Sequence, residues 1–221
     1  MSARRVSGAR QALRWAAFGA VYLLLVVSPT GQELDEWLLG LAQRLGPGPL
    51  AQLWPLLGRR VLPFGLVVLV LGLGALRVRR HPWQVLRVGV LVGASTGLSL
   101  LLKQSLPRPL HGRELGYLTN TFPSTHASAT LALLVAVWWL CPRRPVWLTR
   151  LLCAAAGVAA LGNVVGHAHR PSDVLGSALL VGVGANTLRA ATSRRASGYS
   201  DDAHDRSTEG RAGLTGKDGC A

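Results

Sequence analysis

Six stretches of this chain carry no Lys, Arg, Asp or Glu and are mostly apolar: residues 15–32, 61–76, 88–102, 115–142, 151 up to Arg170, and 174–188. No other feature narrows the fold as much. A helix that crosses a bilayer needs about 20 apolar residues. The second, third and sixth stretches are shorter than that. Trp and Arg at their flanks make up the difference, because both residue types suit the interface and long cationic side chains reach outward to water. The stretches are apolar all round rather than along one stripe. A soluble chain of 221 residues could not bury six helices of that kind. The predicted architecture is therefore all-α: a polytopic membrane protein with six transmembrane helices.

The charges support this order. The chain has 24 Lys and Arg against 10 Asp and Glu, and only 15% of its residues are charged, where ~25% is usual in soluble proteins. That composition excludes disorder throughout, and three Cys exclude a disulfide scaffold. A basic excess suits either nucleic acid or a membrane. Position decides. Arg4, Arg5, Arg10 and Arg14 precede the first stretch. Arg77, Arg79, Arg80 and Arg87 separate the second from the third. Arg143, Arg144 and Arg150 separate the fourth from the fifth, and Arg189, Arg194 and Arg195 follow the sixth. No acid lies among them. With six spans they all fall on one side, which the positive-inside rule makes the cytoplasm, so both termini are expected there. The arginines flank apolar spans and do not line one polar face, so no nucleic-acid partner is expected.

The opposite side receives residues 28–60, 103–122 and 166–171, with Glu33, Asp35, Glu36 and Glu114. Basic residues before a short apolar run also fit a signal peptide, but Ser28-Pro29-Thr30 follows Val27 with no clear cleavage site, so the first span is expected to be kept. Leu34, Trp37, Leu38, Leu41 and Leu45 have the spacing of an amphipathic helix lying at the membrane surface. Residues 1–191 form the predicted membrane domain. Residues 192–221, rich in Ser, Thr, Gly, Asp and Arg, form a predicted disordered tail. Cys141, Cys153 and Cys220 receive no function.

Polar groups at membrane depth mark functional sites by default. Here they gather at the outer ends of three spans: Lys103 to Pro109, Phe122 to His126, and Gly166 to Asp173. Lys103 and Arg108 are cations suited to phosphate, and Pro107 and Pro109 hold Arg108 in an extended segment. Ser124 has the character of an N-cap, and a helix N-terminus offers free N–H donors to an anion. His126 falls in that first turn. His169 and Asp173 are four apart, on one helical face if a helix begins near Pro171. The acid can fix the His tautomer and leave the other ring nitrogen free to attack. These are the parts of phosphoryl transfer through a phosphohistidine.

At these residues the chain resembles the membrane-bound type 2 phosphatidic acid phosphatases, lipid phosphate phosphatases related to vanadium haloperoxidases. That family carries a lysine, six intervening residues and an arginine-proline pair, then proline-serine-glycine-histidine. Its third motif is serine-arginine, five residues, histidine, three residues, aspartate. The resemblance covers roughly residues 85–190 in motif order, motif spacing and six-span layout. It implies that Lys103, Arg108, Ser124 and the Thr125 and His126 N–H groups hold the phosphate. It implies that His169 is the nucleophile, that Asp173 orients it, and that His126 serves as acid and then as base. It implies no cofactor and no metal.

Each of the three motifs departs from the pattern. Four residues, not six, separate Lys103 from Arg108. Thr125 stands for glycine. Asn163 stands where the third motif has arginine, and Gly162 where it has serine. Asn163 can donate a hydrogen bond to phosphate but brings no charge. Arg170 or Arg113 could supply the missing guanidinium, in which case Arg170→Ala should cost more activity than Asn163→Ala.

The expected function is hydrolysis of a lipid phosphomonoester or diphosphate at the extracytoplasmic face of a plasma or inner membrane. The alternatives are a family member that binds lipid phosphate without turnover, and a six-helix scaffold or transporter. His167, His169, His126 and Asp173 would also suit zinc, although the nearby cations favour an anion. Ser124 and His126 do not form a serine-hydrolase pair, since residues two apart in a helix point in different directions.

Overall fold

In the computed structural model the described residues are 3–44, 50–109, 111, 120–166 and 169–212, and side chains are described within 8–191. Arg113, Glu114, His167, Leu45 and Cys220 lie outside the described residues. The described elements are helical: α1 (Ala3–Val21), α2 (Pro29–Gln43), α3 (Leu50–Leu56), α4 (Leu62–Val78), α5 (Pro82–Ser105), α6 (Thr125–Leu140), α7 (Val146–Val165) and α8 (Pro171–Ala212). Two π-helical turns interrupt this series, Tyr22–Val27 after α1 and Leu57–Val61 between α3 and α4. The chain divides into a compact unit of residues 1–185 and a second unit of residues 186–221. The boundary drawn from composition at residue 191 falls inside α8, which continues as helix through Ala212.

Five helical segments are long and apolar enough to cross a membrane: Gly8–Val27, Gln52–Val78, Pro82–Ser105, Val146–Val165 and Pro171–Ala191. The fourth expected span is shorter. Helix begins at Thr125 rather than near Leu115, and α6 has 16 residues. The first expected span is also shorter at its end. Ser28 caps a new helix by accepting from the Gly31 N–H, and Pro29 occupies the first helical position, where its missing N–H costs nothing.

α6 is the central helix of the first unit. Ten of its residues are buried, and it packs against α4, α5 and α7. Leu133, Leu134 and Val137 meet Leu66 of α4, with Leu152 and Ala155 of α7 around them. Large apolar side chains elsewhere face outward: Phe64, Leu71, Leu76, Trp83, Leu101, Trp147 and Leu151 are all more than half exposed. So much exposed apolar surface suits lipid rather than water. Arg87 stacks on Trp139 and Arg144 on Trp138, pairing cation with aromatic at the arginine-rich ends of the helices.

A second apolar cluster joins Phe18 and Val26 to Phe122 and Leu180, and so anchors the second motif between the first and last apolar helices. Gly176 makes this possible: a Cβ there would lie 2.2 Å from the Phe122 ring. Gly58 and Gly162 allow a backbone-to-backbone crossing, since a Cβ on Gly162 would lie 2.5 Å from the Trp54 carbonyl oxygen and 2.7 Å from the Gly58 Cα. Gly157 and Gly182 face open space.

α2 keeps its apolar stripe on the outside, the arrangement expected of a helix at a membrane surface. Leu34, Trp37 and Leu41 are exposed, while Gln32 and Asp35 are buried beside Leu39. The apolar stripe is free to meet lipid, and the polar face packs onto the protein. Gln32 explains part of this, because its amide donates to the Val26 and Pro109 carbonyls and ties the α1–α2 corner to the segment holding Arg108.

Candidate functional site

The C-terminal ends of α5 and α7 and the N-terminal ends of α6 and α8 carry the motif residues. Asp173 connects them. Its side chain is fully buried. Oδ2 accepts from Thr121 Oγ1 at 2.6 Å and from the Arg170 N–H at 3.0 Å. Oδ1 accepts from Arg108 at 3.2 Å. His169 Nδ1 lies 3.5 Å from Oδ2, just before α8 begins, within ion-pair range but without a formed hydrogen bond. The Asp173 carbonyl accepts from the Ser124 N–H at 3.2 Å. Ser177 Oγ lies within reach of both the Asp173 and the Ser124 carbonyl oxygens, at 2.8 and 2.9 Å. The second and third motifs are thus held together by backbone as well as side chains.

Ser124 is the N-cap of α6, accepting from the Ala127 N–H at 3.2 Å. Thr125 Oγ1 is buried and has no hydrogen-bond partner. His126 is exposed and lines a cavity of about 530 Å³ with Gln52, Pro55, Leu56, Arg59 and Arg60. Lys103, in the last turn of α5, is half-buried. Asn120 braces this corner: its amide donates to the Leu106 and Phe122 carbonyls and accepts from the Phe122 N–H.

Arg108 is held on several sides. NH1 donates to Thr121 and Asp173, and NH2 to Asp35 at 3.4 Å; its Nε has no partner. Asp35 accepts in addition from the Ser172 N–H at 2.9 Å and the Ser172 hydroxyl at 2.6 Å. Burial pushes the Asp35 carboxyl up from its ordinary range. The Ser172 hydrogen bonds pull it back, nearby Asp173 adds to the rise, and Arg108 opposes it.

Two sequence expectations for Asn163 and Arg170 meet specific geometry. Asn163 is fully buried, and its amide donates to the Ala159 carbonyl of its own helix, while Oδ1 has no partner. Its carbonyl accepts the His169 N–H, so it shapes the turn into the third motif. Arg170 is buried and pairs with Glu36 at 2.7 Å. His167, which the zinc alternative uses, lies outside the described residues. The Asp173 carboxylate is already occupied by three donors.

The residues of the three motifs lie within one matched segment. Residues 102–196 match the family model of the PAP2 superfamily. The match takes in Lys103, Arg108, the Pro-Ser-Thr-His run and His169 to Asp173, so the resemblance carried by the three motifs and the superfamily match coincide on the same residues. No curated protein and no solved structure matches the chain. Residues 102–196 are thus similar to the PAP2 superfamily, on a helical chain with several helices long and apolar enough to cross a membrane.

Asp35, Thr121 and Arg59 surround the PAP2 motif residues without being legible as site residues in sequence. For Asp35 a signal exists. Gly31, Gln32 and Asp35 share the face of α2 opposite the Leu34, Trp37 and Leu41 stripe, a polar face too short for a solvated helix. Thr121 precedes the second motif and carries no mark of its own.

Proposed function

We propose that the protein is an integral-membrane, metal-independent lipid phosphatase that hydrolyses a lipid phosphomonoester or diphosphate through a phosphohistidine. The observation that carries this reading is Asp173, whose carboxylate meets His169 Nδ1, Arg108 and Thr121 while its carbonyl fixes the start of α6. With Nδ1 facing the acid, Nε2 of His169 is left for attack. Its lone pair forms the P–N bond as the P–O bond to the lipid alcohol or phosphate breaks, and His126 gives its proton to that leaving oxygen. His126 then takes a proton from water, the water oxygen bonds to phosphorus, the P–N bond breaks, and phosphate departs. Lys103, Arg108 and the N–H groups of Thr125 and His126 hold the phosphoryl oxygens. The exposed His126 and its cavity suit a headgroup arriving from the interface while its tail stays among the apolar helices.

Six spans with both termini cytoplasmic put this site on the extracytoplasmic face of the plasma or inner membrane. The arginine-rich connections support that orientation. In it α6 is the fourth of the six spans, short because protein surrounds most of it.

One observation favours a second reading, binding of lipid phosphate without turnover: Arg108 is engaged by two carboxylates, and the Asn163 amide is turned onto its own helix. Phosphate release from a panel of lipid phosphates by the detergent-purified protein, with EDTA present, decides between them. Release that persists in EDTA and disappears in His169→Ala is the expected result. Loss of release on adding EDTA would refute the metal-free route. No release from folded wild type would leave the binding reading.

A further inference from the structure

The third motif lacks its arginine, and neither Asn163 nor Arg170 faces the cavity beside His126. That cavity has two other guanidinium groups on its wall. Arg59 and Arg60 lie on the π-helical turn Leu57–Val61, between α3 and α4. The sequence explains the turn. Pro63 leaves the Arg59 carbonyl without its i to i−4 donor and crowds it with its ring, which favours a local departure from the regular pattern. Such turns occur often at functional sites.

The position is fixed from the other side as well. Gly58, immediately before Arg59, crosses Gly162, immediately before Asn163, with no room for a Cβ on either. The residue that replaces the motif arginine and Arg59 are therefore next to the same backbone crossing. Arg59 is half-buried, and its Nε is buried with no hydrogen-bond partner. A desolvated guanidinium donor without a partner, on a cavity wall shared with a histidine, is arranged for an anion.

We propose that Arg59 is a phosphate-binding residue of this site and supplies from the α3–α4 segment the guanidinium that Asn163 does not. The proposal rests on the phosphatase reading for its role in turnover, but the binding of phosphate can be judged without it. Arg60, exposed on the same wall, extends the positive lining toward the interface.

The test has two readouts on the purified full-length protein in detergent. Inorganic phosphate binding is measured by calorimetry, and phosphate release is measured on a short-chain phosphatidate. The variants are Arg59→Ala, Arg59→Gln, Arg170→Ala, His169→Ala and the double variant Arg59→Ala with Asn163→Arg. Arg59→Gln keeps side-chain length without charge and serves if the alanine variant fails to fold. Loss of one charge-assisted donor set is expected to weaken phosphate binding about 10-fold or more and to raise KM with it. Arg170→Ala should change binding less than Arg59→Ala. Asn163→Arg should restore part of the loss, because it returns a guanidinium beside the same crossing.

Phosphate affinity within about 2-fold of wild type in both Arg59 variants overturns the proposal, as does a wild type that binds no phosphate at millimolar concentration. If the affinity falls in the Arg59 variants but His169→Ala leaves release intact, Arg59 stands as the anion ligand and the phosphohistidine reading fails. If His169→Ala abolishes release while the Arg59 variants bind and turn over as wild type, the reading stands and this inference fails.

Discussion

Asp35 accepts both the N–H and the hydroxyl of Ser172, at 2.9 and 2.6 Å, across 137 residues of sequence. This joins α2 to the first turn of α8, three residues after His169 and one before Asp173. The same carboxylate faces Arg108 at 3.4 Å. α2 therefore supports the site through its polar face.

Removing Asp35 should be costly. Asp35→Ala leaves Arg108, 5% exposed at its side chain, without one of its two acids and strips Ser172 of its acceptor. Breaking a buried pair on one side costs about 3–5 kcal/mol. Asp35→Asn should cost less, because the amide oxygen still accepts. Thermal unfolding in detergent, followed by tryptophan fluorescence, measures both. Equal Tm values for Asp35→Ala and wild type would show that the pairing contributes no net stability.

The pH dependence has a defined sign. Folding raises the pKa of Asp35, mainly by burial. Protons then bind more tightly to the folded state, so the contribution of Asp35 to stability is fully present below the unfolded carboxylate range. It is lost as pH rises through the folded pKa. Asp35→Asn has no such term. The Tm of wild type minus that of Asp35→Asn should be larger near pH 4 than at pH 7. A difference that grows with pH would mean that Arg108 and Ser172 outweigh burial.

Thr121 makes a sharper test of the Asp173 cluster. Its hydroxyl donates to Asp173 at 2.6 Å and accepts from Arg108 at 2.8 Å. Thr121→Val keeps the shape and removes both bonds. It leaves a buried carboxylate and a buried guanidinium one partner short, at about 1–3 kcal/mol. If the cluster orients His169, release should fall without a matching rise in KM. Unchanged kcat with lower Tm would confine Thr121 to a structural role.

The apolar helices and the three motif clusters were legible because both depend on local pattern. Charge-free runs mark α4, α5 and α7, and Pro171 and Asp173 mark the start of α8. What could not be read depends on pairing between distant segments. The Leu34, Trp37 and Leu41 stripe marks an amphipathic helix with its apolar face outward, as at a membrane surface, but the packing of its Asp35 face is not legible in it. In water the rule runs the other way, and the presence of lipid reverses which face is free. The glycines show the same limit. Gly157 and Gly162 look alike in sequence, yet only Gly162 meets another backbone, because its partner Gly58 lies more than a hundred residues earlier. Asn163 was expected at the phosphate because of its place in the motif, while its amide satisfies the Ala159 carbonyl instead.

That difference between glycines predicts opposite results. Gly162→Ala places a Cβ 2.5 Å from the Trp54 carbonyl oxygen and 2.7 Å from the Gly58 Cα. These are backbone atoms, so the helices must part, at about 1–3 kcal/mol. The shift also moves Arg59, so phosphate release should fall. Gly157→Ala meets open space and should be neutral or stabilising by up to about 1 kcal/mol through the unfolded chain. Equal loss in both variants would contradict the close crossing.

Gly176 offers a crossing whose partner is a side chain, so it can be rescued. A Cβ there would stand 2.2 Å from Phe122 Cε2. Phe122 has no exposed surface and is packed by Phe18 at a 5.3 Å and Tyr22 at a 5.6 Å ring-centroid distance, so its ring cannot swing aside. Gly176→Ala should push the Phe122-Pro123-Ser124 run away from α8 and weaken the Ser124 N–H bond to the Asp173 carbonyl, lowering both Tm and release. Phe122→Leu alone should destabilise through a partly filled space, at about 1–3 kcal/mol. The double variant should lose less than the two single losses added, with a coupling of about 0.5–3 kcal/mol, because leucine vacates the volume the new methyl needs. Recovery of release along with Tm would place the effect on the position of Ser124. Additive losses would mean that the methyl acts elsewhere than on the ring.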